Sequence, residues 1–273
     1  MPEGHTIHRA AQDQSPLLVG TKPKIIAPDG RYTAEAKLIT GRELTRIEPL
    51  GKHLFYHFDR PGRSTLHVHL ALFGKLRLHK GEPPEAKGAI RYRLTTPKVA
   101  LDLHGCRTAD LLTPDEAQLI RDRIGPDPLD PKADAETVWQ RISKSKAPIA
   151  TLLMDQKVLS GVGNIYRAEV LFLHRVHPLT RGKELTRKQF DAIWAELVRL
   201  MKIGVKYNKI ITISRDYAKD VHGKTFSRLS GRDRFYIYKA DICPFSGGPV
   251  EKVELAGRTC WWSPQWQDGG GEA

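Results

Sequence analysis

The segment from Gly125 to Pro131 reads Gly-Pro-Asp-Pro-Leu-Asp-Pro. Three prolines in six residues remove backbone donors and fix φ, so neither a helix nor an inner strand can pass through. The stretch is a boundary, and the apolar period differs on its two sides. Before it, Thr65-Leu66-His67-Val68-His69-Leu70 and Lys75-Leu76-Arg77-Leu78 alternate, as half-buried strands do. Leu44, Ile47 and Leu50, then Leu54, Tyr56 and Phe58, add short runs, and Ile90 to Leu103 reads as two strands around Thr96-Pro97. A short helix over 5–19 precedes them. Several short strands broken by Gly and Pro predict a sandwich or barrel.

After the boundary the period is helical. Helices are expected over 137–142, 149–159, 165–173 and 186–201. In the last, Thr186 and Gln189 form a capping box, and Phe190, Ile193, Trp194, Leu197, Leu200 and Met201 make one apolar stripe. Residues 234–266 read as short hairpins, with strands at Phe235–Tyr238, Val250–Leu255 and Thr259–Trp262. The fold class is therefore α+β. The domains are expected at 1–124 (β-sandwich), 125–133 (linker), 134–230 (helical), 231–267 (hairpin) and 268–273 (disordered tail).

A chain of 273 residues suits about two domains at roughly 150 residues each. It is long enough to bury a core without disulfide staples. With 40% hydrophobic and 27% charged residues, it is neither collagen-like, a coiled coil nor disordered. No run of 18 apolar residues suggests a membrane span. The start Met1-Pro2-Glu3-Gly4-His5 lacks the features of a leader, and three spaced cysteines make no secreted framework. A reducing cytoplasm is the expected setting. Lys plus Arg number 44 against 31 Asp plus Glu, a net charge of +13. The cations run from Arg9 to Arg258, which fits a folded basic face and a polyanionic partner.

Four elements carry chemistry. Pro after the initiator Met permits removal of Met1, leaving a secondary amine. A terminal amine titrates near 8, so part of it is neutral and nucleophilic at pH 7. Attack on an aldehyde-like carbon gives an iminium, and Glu3 could move protons. In Gly51-Lys52-His53-Leu54-Phe55, a turn lysine can place an ammonium on a phosphate. In Gly161-Val162-Gly163-Asn164, glycines allow close backbone approach and lead into a helix N-terminus suited to phosphate. Gly257-Arg258 puts an arginine at a hairpin tip, where it can grip a phosphate. Each alone has a plainer reading as an ordinary chain start, a solvated turn residue or a helix–helix turn.

In this order, with Asp155-Gln156 and Ile165-Tyr166-Arg167, the four elements resemble the formamidopyrimidine-DNA glycosylase/endonuclease VIII family over about 1–267. The resemblance implies an N-terminal β-sandwich, a linker, a helix–two-turn–helix domain and a finger hairpin. It also implies a base-excision DNA glycosylase with AP-lyase activity, acting on damaged double-stranded DNA. Carried over by position, it makes Pro2 the nucleophile on C1′, Glu3 the proton shuttle, and Lys52 a phosphate contact that assists β-elimination. Arg123 and Asn164, with Gly163 before it, fall at DNA contacts. Arg258 would bind phosphate and assist δ-elimination. The base must be extruded, and Leu72 and Phe73 of Ala71-Leu72-Phe73 sit where the family carries the wedge that fills the gap. Their alternative is ordinary core. Pro2-Glu3-Gly4-His5-Thr6 is similar to the endonuclease VIII branch, which favours oxidised pyrimidines over 8-oxoguanine.

The finger departs from the family pattern. The positions of its four zinc ligands read Cys243, Ser246, Ser263 and Trp266, and Cys260 lies three residues before the third. Zinc requires a closed set of soft ligands, so no zinc and no other cofactor is expected. Trp261, Trp262, Phe245 and Trp266 would fill the space. A Cys243–Cys260 disulfide does not suit the cytoplasm. His67, His69, His53 and His104 are expected as strand histidines on a wet face rather than metal ligands; His67 and His69 point to one strand face, and no carboxylate or cysteine completes a set. The reading from this sequence is a monomeric enzyme. Its alternatives are a damaged-DNA or abasic-site binding protein without catalysis, and a general duplex binder with a steep salt dependence.

Overall fold

The computed structural model describes residues 2–268. The expected tail lies, from Gly269 onward, outside the described residues. The chain divides into two compact units, Met1–Arg123 and Ile124–Ala273.

The first unit opens with helix α1 (Gly4–Leu18). It then runs β1 (Lys24–Ile26), α2 (Thr33–Ile39), β2 (Leu44–Leu50), β3 (His53–Phe58), β4 (Thr65–His69), β5 (Lys75–Lys80), β6 (Ile90–Thr95), β7 (Val99–His104), β8 (Thr108–Leu112) and α3 (Pro114–Arg121). Two antiparallel four-stranded sheets form, ordered β1-β6-β7-β5 and β2-β3-β4-β8. Leu54, Tyr56, Leu66 and Val68 of one sheet share a core with Tyr92, Leu94, Leu101 and Leu103 of the other, and with Ile7, Ala11 and Leu18 of α1. This is a β-sandwich, and each fully buried large side chain contributes about 1.5–3 kcal/mol. The sequence reading did not contain β1, α2, β8 or α3. The last begins at a capping box, Thr113 with Glu116, but eight residues are too few to show a helical period.

Of the strand histidines expected on a wet face, His67 is buried, while His53, His69 and His104 are half-buried. His67 is 4% exposed. Its Nε2 lies 2.8 Å from His53 Nδ1, and its ring stacks against Phe55 at 4.8 Å. Antiparallel pairing causes this, since register places His53 opposite His69 and Phe55 opposite His67. Facing side chains in such pairs touch, and the Arg121 guanidinium covers Phe55 at 4.7 Å. Burial, then the neighbouring His67, pushes His53 down to about 3. Burial, then His69, takes His67 down to about 4.

In the second unit the segment 124–133 is an ordered arm. The Gly125 N–H donates to Gln156 O (2.8 Å) and Pro126 O accepts from Ser160 N (2.9 Å). A Cβ on Gly125 would collide with the Lys157 and Val158 backbone. Helices α4 (Ala135–Ser143), α5 (Ile149–Leu152), α6 (Asn164–Leu173), α7 (Arg187–Tyr207) and α8 (Arg215–His222) follow. The expected capping box is present at Thr186 and Gln189. The helix expected over 149–159 ends at Leu152, because polar side chains beyond it bond to the backbone and compete with helix. Asp155 Oδ1 accepts from Lys157 N (2.9 Å). Gln156 donates to Met154 O and Val162 O and accepts from Gly161 N.

The expected strand at Phe235–Tyr238 does not form. Its N–H groups have another acceptor, the fully buried Glu169 carboxylate. Tyr236, Ile237 and Tyr238 donate to it at 2.9, 2.8 and 2.7 Å, and Thr212 Oγ1 adds a fourth bond at 2.6 Å. A single hairpin remains, β9 (Glu251–Leu255) with β10 (Arg258–Trp262), followed by α9 (Pro264–Gln267). Cys106, Cys243 and Cys260 are buried free thiols. No helix among the described residues is long and apolar enough to cross a membrane.

The finger positions do not fit zinc. Cys243, Ser246 and Ser263 converge, but as a hydrogen-bonded group. Cys243 Sγ accepts from Ser246 N at 3.4 Å, and the two serine hydroxyls lie 3.4 Å apart. The fourth position, Trp266, donates its indole N–H to Phe172 O at 3.0 Å. Its ring meets Phe245 at 4.9 Å and Phe172 at 6.1 Å. Arg175 stacks over it at 3.7 Å. Trp261 and Trp262 pack elsewhere, against Tyr238 and His177.

Two outcomes follow from these contacts. Trp266→Ala should cost about 3 kcal/mol in urea unfolding, while a chelator leaves the wild-type midpoint unchanged. A chelator-induced drop would show that metal holds the hairpin. Second, His53 and His67 are neutral in the folded state and titrate near 6.5 when unfolded. The unfolded chain therefore binds more protons below 6.5, and stability falls as pH drops from there toward about 4 and 3, their folded values. Urea midpoints between pH 7 and 5 should show this slope, and a His53→Gln/His67→Gln variant should flatten it.

Candidate active site

In the first unit, Pro2 is half-buried and directly precedes α1. Glu3 is the N-cap residue of α1 in extended conformation, φ −121°, and is 1% exposed. Its main-chain carbonyl accepts from Thr6 N at 2.9 Å. The helix N-terminus carries partial positive charge and favours a carboxylate there. The start of the chain therefore places a half-buried proline next to a buried acid.

Lys52 lies in the two-residue turn between β2 and β3, where Leu50 pairs with His53. Gly51 takes φ +56°, a left-handed conformation that costs glycine little and allows the tight hairpin. The Lys52 charge acts on its histidine neighbours. It helps hold His53 and His69 below the ordinary imidazole range, after burial and, for His53, after the other two histidines.

Leu72 and Phe73 are 49% and 81% exposed, so ordinary core does not account for them. They stand on a turn between β4 and β5 closed by Gly74 N to Leu70 O at 2.9 Å. Arg123 is exposed just after α3, with its N–H donating to Ile120 O at 3.2 Å.

The second unit brings Asn164 and Arg258 into one network. Gly163 is the extended N-cap residue of α6 and Asn164 the first helical residue. Asn164 Nδ2 donates to Thr259 O at 2.9 Å, and its Oδ1 accepts from the Arg167 guanidinium. Arg167 is fully buried and also reaches Ala150 O, Arg258 O and Thr259 O at 3.3–3.5 Å. Arg258 is exposed at the start of β10. Its hairpin turns through Ala256 and Gly257 at φ +51° and +69°, as a type I′ turn requires. One guanidinium thus ties the helix start to the strand that carries Arg258.

Sequence reasoning assigned no role to Arg167 or Glu169. The signal was present as two charges inside an otherwise apolar helix, Ile165-Tyr166-Arg167-Ala168-Glu169-Val170-Leu171-Phe172. A helix hydrophobic all round is buried, and charges on it must be bonded inside the protein.

Two family models match the chain: the formamidopyrimidine-DNA glycosylase N-terminal domain over 1–110 and the formamidopyrimidine-DNA glycosylase H2TH domain over 124–216. Endonuclease 8 1 of Mycobacterium tuberculosis is 38% identical over 270 residues, covering 97% of this chain and 98% of its own. Endonuclease 8 of Escherichia coli is 30% identical over 275 residues, covering 97% and 98%. Among solved structures, the Lactococcus lactis Fpg in complex with an abasic site containing DNA shares the fold at TM-score 0.78. That match covers 97% of this chain and 99% of the other at 22% identity. With both family models matched in order and relatives similar across their whole length, the chain belongs to the formamidopyrimidine-DNA glycosylase/endonuclease VIII family.

Proposed function

We propose that this DNA glycosylase and AP lyase of base excision repair removes oxidised bases, pyrimidines favoured, through an iminium on Pro2. The observation that carries the reading is the buried Glu3 carboxylate at the α1 N-terminus, one residue after Pro2 in the chain. Once Met1 is removed, the Pro2 nitrogen attacks C1′ of the damaged nucleotide and the glycosidic bond breaks. The base leaves with a proton, which Glu3 is placed to supply. The amine gives up its proton, the C1′–O4′ bond of the sugar ring breaks with a proton passing to O4′, and the nitrogen lone pair forms the C1′=N iminium; this acidifies C2′, and β-elimination then expels the 3′ phosphate. Hydrolysis returns the free amine.

Lys52, Asn164 and Arg258 bind phosphates in this reading. Asn164 has two amide hydrogens, and one already serves Thr259. The other, with the α6 N-terminus behind it, suits a phosphate oxygen. Arg258, exposed at its hairpin tip, reaches a phosphate through its fork of donors and assists δ-elimination. Arg123 adds a backbone contact. Leu72 and Phe73 fill the space left by the extruded nucleotide, an apolar wedge on a turn. The partner is damaged double-stranded DNA, and the enzyme acts as a monomer in the cytoplasm. Pyrimidine preference is supported by Thr6 in the opening motif and by relatives named endonuclease 8. Intact Pro2, Glu3 and Lys52 argue against a binding protein without catalysis.

Borohydride reduction on an abasic-site duplex should give a covalent protein–DNA band, lost in Pro2→Gly. Glu3→Gln should slow base release by about 10²–10⁴-fold. No band from protein with verified Met1 removal would overturn the iminium route. On lesion duplexes, 5-hydroxyuracil should be excised faster than 8-oxoguanine opposite C, and the reverse order would move the chain to the other branch.

A further inference from the structure

A second basic feature lies in the helical unit, on residues that take no part in the chemistry above. An open cavity of about 470 Å³ is lined by Arg199, Lys202, Lys206 and Arg215, with Tyr207 and Phe226, and no carboxylate is among its lining residues. Arg199, Lys202 and Lys206 follow one another at i, i+3 and i+7 on α7, which puts them on one face. Arg199 pairs with Glu196 at 2.6 Å.

The other wall is aromatic. Arg215, the first residue of α8, stacks its guanidinium 5.1 Å above the centre of the Phe226 ring. Its nitrogen lies 3.4 Å from Tyr207 Oη. Tyr207 meets Phe226 edge-on at 5.6 Å. Phe226 is buried while Arg215 is exposed, so the guanidinium presents its outer face to solvent. A planar cation on an aromatic floor takes a nucleobase by stacking, and ammonium groups beside it take phosphate.

We propose that this cavity is a binding site for a nucleoside phosphate, separate from the catalytic residues. Its base lies on Arg215 and its phosphate between Lys202 and Lys206. The same chemistry is offered by a free mononucleotide and by one nucleotide of a single strand.

The test is amide chemical-shift mapping of the full chain with deoxyguanosine monophosphate, deoxyguanosine, inorganic phosphate and a thymidine tetranucleotide. The expected result is a shift cluster over 199–226, with the mononucleotide or the tetranucleotide binding at least about tenfold tighter than inorganic phosphate or the nucleoside, about 1.4 kcal/mol. Binding by the mononucleotide identifies the free ligand as sufficient, and binding by the tetranucleotide alone identifies the strand. Lys202→Glu/Arg215→Glu should lose the cluster while keeping the remaining amide spectrum, and Lys37→Glu/Lys132→Glu, an equal charge change elsewhere, should retain it. No shift at 199–226 with either nucleotide probe, equal binding of inorganic phosphate, or equal loss in both variants would each overturn the site.

Discussion

Helix α6 places a guanidinium and a carboxylate where water does not reach, and the second unit is organised around satisfying them. Arg167 and Glu169 are both fully buried, and an unpaired charge in such a place costs several kcal/mol. Arg167 takes the carbonyls of Arg258 and Thr259 and the Asn164 side chain. Glu169 takes three consecutive N–H groups at Tyr236–Tyr238 and the Thr212 hydroxyl. Burial pushes the Glu169 pKa up, and these four donors oppose it. The two charges thus fix both the hairpin and the segment leading into it. The alternative to each contact is an ion without a partner.

That arrangement explains how the hairpin holds its place with a donor set unfit for zinc. Structural zinc supplies folding energy directly. Here the work is divided. Arg167 holds the start of β10 through main-chain carbonyls. Trp266 anchors the end through its N–H on Phe172 O and its contacts with Phe245 and Arg175. Gln267 adds a buried bond to Val176 O at 2.8 Å. Cys243, Ser246 and Ser263 still meet, because the backbone turn that brings them together is kept by Cys243 N to Gly248 O and Gly247 N to Cys243 O.

Much of this was readable in the chain, and the failures share a cause. Elements whose burial follows a period were visible: the alternating strands of the sandwich, α6, and α7 with its Thr186–Gln189 box. What the period could not show was competition for backbone donors. Phe235–Tyr238 has the composition of a strand, yet its N–H groups belong to Glu169, which lies 67 positions away from Tyr236. The helix expected to reach Leu159 stops because Asp155 and Gln156 bond to their own loop. His67 was read as wet because alternation gives a face but not what covers it. Phe55 and Arg121 do so, and Arg121 comes from a helix too short to be seen. The candidate site residues could be named one by one from the chain, whereas Arg167, which joins Asn164 to the hairpin, was visible only as a misplaced charge.

The turn carrying Leu72 and Phe73 shows the opposite economy, in which burial is given up and conformation is kept. Two large apolar side chains in water gain nothing for folding, since their stabilisation comes only with burial. Yet the turn is constrained on both sides. Ala71 sits at φ +54°, a region unfavourable by roughly 1 kcal/mol for a residue with a Cβ. Gly74 packs so closely that a Cβ would strike the Leu70 carbonyl. A loop under no demand would relax through a different residue at either place. In the proposed role as a wedge, a tip already set avoids the interaction energy that ordering it on binding would consume. The positive φ at Ala71 and the exposure of Phe73 are what such a role asks of the turn: a constrained backbone carrying apolar side chains that the turn itself does not bury.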